Sequence, residues 1–131
     1  MKKVVLSFCL VLLLSGCASL SVTEIVARSR KDLAKIEVGM PRDRAMSIMG
    51  NSIVDAVCSS ADSSASKRMR IASPYRTEIL QVGGRKLEVL YYVIDVDDDC
   101  EIGENKLMPL VFENKILIGW GKLFLDPLRR S

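Results

Sequence analysis

The residue best placed to do chemistry is Cys17, preceded by Leu14-Ser15-Gly16. Lys2 and Lys3 form a basic start, Val4 to Leu14 an apolar run, and Ser15 and Gly16 a small-residue cleavage site. The run is far shorter than the ~20 apolar residues of a membrane span. It reads as an export signal of the bacterial lipoprotein type. In that pattern the thiol is diacylated, the peptide bond before it is cut, and the freed amine takes a further acyl chain. Each buried CH₂ contributes ~0.8 kcal/mol, and two acyl chains already give stable anchoring. Residues 1–16 are therefore expected to be removed, 17–22 to form a lipidated tether, and 23–131 to form one domain. Ala18 follows the cysteine rather than an acidic residue. In a Gram-negative host this places the protein on the outer membrane, facing the periplasm; in a Gram-positive host it places it on the cell membrane.

Cleavage before Cys17 removes 16 of 131 residues, leaving 115, enough for a single core. Lys2 and Lys3 leave too, taking the formal charge from +3 to +1. Near-neutrality lacks the basic footprint of a nucleic-acid binder. Of four cysteines, Cys9 goes with the signal and Cys17 is acylated, so Cys58 and Cys100 remain. In an oxidising compartment two leftover cysteines are expected to pair, two free buried thiols being the alternative.

Other chemistry is thin. With no histidine, the chain has no Ser-His-Asp or Cys-His arrangement and no His-based zinc site. Ser64-Ala65-Ser66-Lys67 matches a Ser-x-x-Lys string but lacks its companion motifs. Asp95, Asp97, Asp98, Asp99, Glu101 and Glu104 invite a calcium reading. An EF-hand loop begun at Asp95 puts Cys100 at its glycine and Lys106 at its bidentate glutamate, so that motif fails. No cofactor fingerprint is present, and neither metal nor cofactor is expected. Lys67, Arg68, Arg70 and Arg76, near Tyr75, make a candidate surface for anionic headgroups or an acidic partner, against the plainer reading of a solvated face.

The elements that position these groups follow from periodicity. Val22, Val26, Ser29, Leu33 and Ile36 predict a helix over 23–35, with Thr23 as N-cap. Gly39 breaks it; Pro41 suits the first turn of a second helix that stops at Gly50. Cys58 to Ser73 is rich in serine and reads as a mobile surface loop. Strands follow over 76–82 and 86–95, joined by Gly83-Gly84, then over 107–113 and 116–125, joined by Asn114-Lys115. Both faces of 86–95 are apolar, which suits a central strand. Pro109 marks an edge strand or a bulge, and Gly119 and Gly121 leave room for a helix close to the sheet. The expected fold class is α+β: a helix–turn–helix pair packed on a three- to four-stranded antiparallel β-meander.

Ile36-Glu37-Val38-Gly39-Met40-Pro41-Arg42-Asp43-Arg44-Ala45-Met46-Ser47-Ile48-Met49-Gly50 resembles the signature of the SmpA/OmlA (BamE-like) outer-membrane lipoproteins. Residues 109–121 resemble the closing hairpin of lipoproteins of this fold, and the β-lactamase-inhibitor protein fold is similar. The chain departs from the family pattern at Pro41, Met49 and Asn51-Ser52. In the motif, Gly39 is expected to turn the chain while Ile36, Met40, Met49 and Gly50 form the helix–sheet joint. The resemblance implies a non-enzymatic scaffold or assembly factor in an envelope protein complex. The alternative is a ligand- or inhibitor-type binding lipoprotein.

Overall fold

A computed structural model describes residues 20–60 and 66–131. The signal segment, Cys17 and the Ser64-Ala65 half of the Ser-x-x-Lys string lie outside the described residues. Among the described residues the fold is α+β, with three α-helices and two sheets. In chain order come β1 (Leu20–Ser21), α1 (Val22–Leu33), α2 (Arg42–Met49), β2 (Ser52–Ser59), β3 (Ser66–Ser73), β4 (Arg76–Val82), β5 (Arg85–Val93), β6 (Leu107–Glu113), β7 (Ile116–Trp120) and α3 (Lys122–Arg130).

The larger sheet is the antiparallel run β4-β5-β6-β7. Gly83 and Gly84, both at positive φ, make the two-residue turn between Val82 and Arg85. Asn114 and Lys115 both take positive φ at the second hairpin, where lysine fits less well than asparagine. Pro109 does not mark an edge: β6 is interior, and its bulge falls between Val111 and Phe112. The Pro109 carbonyl accepts from Gly121 N at 2.8 Å, so the absent N–H faces the point where β7 has already ended. The proline therefore costs the ladder no hydrogen bond.

Both faces of this sheet are buried, as the two apolar faces of β5 require. Leu90, Tyr92, Leu110, Phe112 and Leu117 pack with Ile36, Met40, Ala45 and Met49 on one side. On the other, Leu87, Val89, Tyr91, Val93 and Val111 pack with Val22, Ala56, Ile71 and Leu125. The helix pair is split between these cores. Val22, Ile25 and Val26 of α1 join the second core, while Leu33 joins the first with α2.

Other expectations are corrected as well. Residues 58–59 and 66–73 are strand rather than loop: β2 and β3 pair antiparallel along eight residues each, from Ser52 opposite Ser73 to Ser59 opposite Ser66, and residues 61–65 of the expected loop lie outside the described residues. Serine content masked the alternation of Met69 and Ile71 with Arg68 and Arg70. Residues 20–22 are not tether, because Leu20–Ser21 pairs parallel with Ala56–Val57 and Val22 is buried. The N-cap is Ser21 rather than Thr23; its hydroxyl accepts from Glu24 N at 3.2 Å, while the Glu24 carboxylate accepts from Ser21 N. This reciprocal capping box outweighs a lone threonine two residues later. Finally, the last strand ends at Trp120, and α3 begins after Gly121 at φ 88°.

Gly39–Arg42 does more than turn. Gly39 N donates to Leu117 O at 2.8 Å, Leu117 N to Met40 O at 2.9 Å, and Arg42 N to Lys115 O at 2.9 Å. The segment lies along β7 as a short extra strand and satisfies its edge. Pro41, at φ −61° and ψ 144°, is thus extended and precedes α2 rather than sitting in its first turn.

Candidate functional site

The residues proposed for chemistry come to three places. At the first, Cys58 at the end of β2 is bonded to Cys100 with Cα atoms 6.0 Å apart, closing a loop of 42 residues. Cys100 ends a turn in which Cys100 N donates to Asp97 O at 2.9 Å. The link ties the small sheet to the acidic loop. Two of its carboxylates are paired by neighbours: Lys106 Nζ lies 3.2 Å from Asp95 and 3.1 Å from Asp97, and Arg30 reaches Asp95 at 3.5 Å. Hydrogen bonds from Val96 N and Lys106 hold the Asp95 carboxyl below its usual range. No cluster of three metal-binding side chains occurs among the described residues.

The second place is the candidate basic surface, which the strand structure divides. Arg68 and Arg70 stand opposite Val57 and Asp55, on the outward face of the small sheet. Lys67 stands opposite Cys58, on the face that also carries Met69 and Ile71. Arg70 pairs with Asp55 at 3.3 Å and Lys67 lies 3.9 Å from Glu101. Arg76, on β4, belongs to a different group altogether. The four cations therefore form no single patch.

The third place was not foreseen. Arg76 lies over the Tyr91 ring, 4.1 Å from its centroid, and holds Glu104 through contacts of 2.6 and 3.0 Å. Two residues along β4, Glu78 accepts from the Tyr91 hydroxyl at 2.7 Å and from both terminal nitrogens of Arg129. Arg129 also donates to the Tyr91 hydroxyl. Arg76 and Tyr91 are opposed in the β4–β5 ladder, a register that follows from the Gly83-Gly84 turn. That half was legible; the Arg129 half needed α3.

The electrostatics of this group are those of a clamp. Hydrogen bonding from Arg129 holds Glu78 below the usual glutamate range despite its partial burial. Burial, then the bond to Glu78, pushes the Tyr91 phenol up, so it keeps its proton at neutral pH. Glu78 in turn raises the Arg129 guanidinium. The group borders an open cleft of about 400 Å³ lined by Arg76, Thr77, Glu78, Glu104 and Arg129. Each charge in it faces an opposite one. What the arrangement does is lock the last turn of α3 to β4 and β5.

The motif residues of 36–50 come together as one joint. Ile36, Met40 and Met49 are buried in the core beneath α2. The Tyr92 hydroxyl donates to Gly50 O at 3.2 Å, and burial pushes that phenol up to about 12. Arg42 spans from α2 to Glu88 on β5, its Nη2 donating at 3.2 Å. No helix among the described residues is long and apolar enough to cross a membrane. No family model, curated protein or solved structure matches the chain.

Proposed function

We propose that this chain is a lipid-anchored, non-enzymatic module of a bacterial envelope, acting as a scaffold or stability factor for an outer-membrane assembly complex. The observation that carries this reading is the Leu14-Ser15-Gly16-Cys17 string, set three residues before the start of β1 at Leu20. A chain of that length reaches at most ~11 Å. Acyl chains on Cys17 therefore hold the domain against the membrane surface, with the capped end of α1 nearest to it.

The assembly role rests on the resemblance of residues 36–50 to the SmpA/OmlA lipoproteins. In this reading the helix pair on the β4–β7 meander is the shared core, and the burial of Met40 and Met49 is in keeping with it. The clamped charges on β4, β5 and α3 suit a rigid module that presents surfaces rather than one that turns over a substrate.

The test has two parts. Metabolic labelling with an alkynyl fatty acid is expected to mark the wild-type protein and to fail on Cys17→Ala, which accumulates as precursor. Label retained by Cys17→Ala removes the anchor from the proposal. Cross-linking in intact envelopes, followed by mass spectrometry, is expected to return a membrane-protein assembly complex. A single soluble enzyme or small ligand would favour the binding-lipoprotein alternative instead.

A further inference from the structure

The strand edges of this fold are not treated alike. The β7 edge is closed by Gly39–Arg42 through three backbone hydrogen bonds. The β3 edge strand carries Lys67, Arg68 and Arg70, charges that discourage edge pairing. The free side of β2 is partly taken by β1. β4 has no such device. Beyond Arg76 at its start, Thr77-Glu78-Ile79-Leu80-Gln81-Val82 contains no lysine, arginine or proline, and its one charge, Glu78, is neutralised by Arg129. Among the described residues no strand pairs with its outer side.

The direction of its free hydrogen-bonding groups follows from the turn. Val82 and Arg85 flank a two-residue loop and so form a hydrogen-bonded pair. Bonded pairs alternate along an antiparallel ladder, so they fall on Val82, Leu80, Glu78 and Arg76. The N–H and C=O groups of Thr77, Ile79 and Gln81 then point away from β5. These same residues put their side chains on the face that carries Leu90, and all three are exposed, Ile79 at 50%.

We propose that β4 pairs antiparallel with β4 of a second copy of this chain, about a two-fold axis at Ile79, joining two four-stranded sheets into one of eight strands. The strand is self-complementary in this register. Ile79 meets Ile79 of the other copy, which buries the exposed apolar side chain. Thr77 meets Gln81, and Glu78 meets Leu80. Thr77, Ile79 and Gln81 of each copy exchange backbone hydrogen bonds, so the free groups on both edges are satisfied together. A shift of the axis to Glu78 sets two glutamates directly opposite each other, and a shift to Leu80 leaves Ile79 facing Gln81. The contact is a single strand wide, which places it among small, weak interfaces.

The test uses the full-length chain in detergent micelles. Sedimentation over a rising series of protein concentrations is expected to show a monomer passing to a particle of twice the protein mass. Ile79→Lys should abolish that passage without altering the melting temperature, since the side chain is half exposed. Opposed residues of a bonded pair lie ~5.5 Å apart at Cα, within disulfide reach. Ile79→Cys is therefore expected to give a reducible doubled band on mild oxidation. A mixture of Thr77→Cys and Gln81→Cys should give one more strongly than either alone. Leu123→Cys, 95% exposed on α3, is the control for random collision. A monomer throughout, with Ile79→Cys no more cross-linked than Leu123→Cys, overturns the proposal. So does a dimer that cross-links through Arg68→Cys on β3 and not through Ile79→Cys.

Discussion

Gly119 lies directly beneath Phe124: a Cβ built on the glycine would stand 2.6 Å from three carbons of the ring. The last helix can lie on the sheet because this strand position has no side chain, so the glycine of β7 and the aromatic residue of α3 are one packing unit. Gly119→Ala is expected to cost about 1–3 kcal/mol, the usual range for overpacking a filled core. Phe124→Leu in the same chain should recover part of the loss. Thermal melts of the two single variants and the double variant measure it, and simple additivity would show that the two residues do not share a site.

Met49 is 5% exposed against the sheet, whereas Lys67 has 58% of its side chain in solvent. Met49→Ala should lose ~2–5 kcal/mol through lost burial and the cavity left behind. Lys67→Ala should stay within about 0.5 kcal/mol of the parent. Equal melting temperatures for the two variants would contradict the packing of α2 on β5–β7.

The Cys58–Cys100 link closes 42 residues, and chain entropy gives such a loop ~4 kcal/mol. Cys58→Ser with Cys100→Ser is expected to unfold at markedly lower denaturant concentration. Non-reducing peptide mapping of protein taken from cells should recover one fragment joining the two positions. Two freely alkylated thiols would refute the link.

Acid should loosen α3 before the rest of the molecule. Glu78 is held below its ordinary value of 4.5 by hydrogen bonds from Arg129 and Tyr91. A carboxylate whose folded pKa is depressed contributes stability that is complete above the ordinary value and fades as pH falls through the lower one. Between neutrality and about pH 5 the Glu78–Arg129 clamp is therefore constant, and its loss belongs to the range below 4.5. Glu78→Gln should lower stability at pH 7 and flatten its decline in acid. Hydrogen exchange of the Leu125 and Leu128 amides at pH 7 and pH 3.5 would register the change; identical exchange in both would remove the clamp's role.

Much of the larger sheet could be read before the structure, and for a physical reason. Arg76–Val82 and Leu107–Glu113 have the expected bounds because glycine pairs and Asn114 punctuate alternating apolar runs. The small sheet was illegible for the opposite reason. Ser52 to Ser73 mixes serine, alanine and arginine, and its inward residues Ala56, Cys58 and Ile71 are too sparse for a period to stand out. The Arg76–Tyr91 contact was encoded in the hairpin register, whereas Arg129 reaches Glu78 across 51 positions and no local pattern announces it. Helix α3 was hidden by reading Lys122-Leu123-Phe124-Leu125 as the continuation of a strand.

The seal that Gly39–Arg42 makes along β7 joins residues 39–42 to residues 115–117, far apart along the chain. A polypeptide that emerges from its amino end, from a ribosome or through a translocation channel, exposes Met40 and Met49 long before the strands they rest on exist. The helical hairpin must therefore wait, uncovered, until the final hairpin arrives. A high contact order of this kind slows folding. It also leaves an interval in which the two methionines have no sheet to rest on.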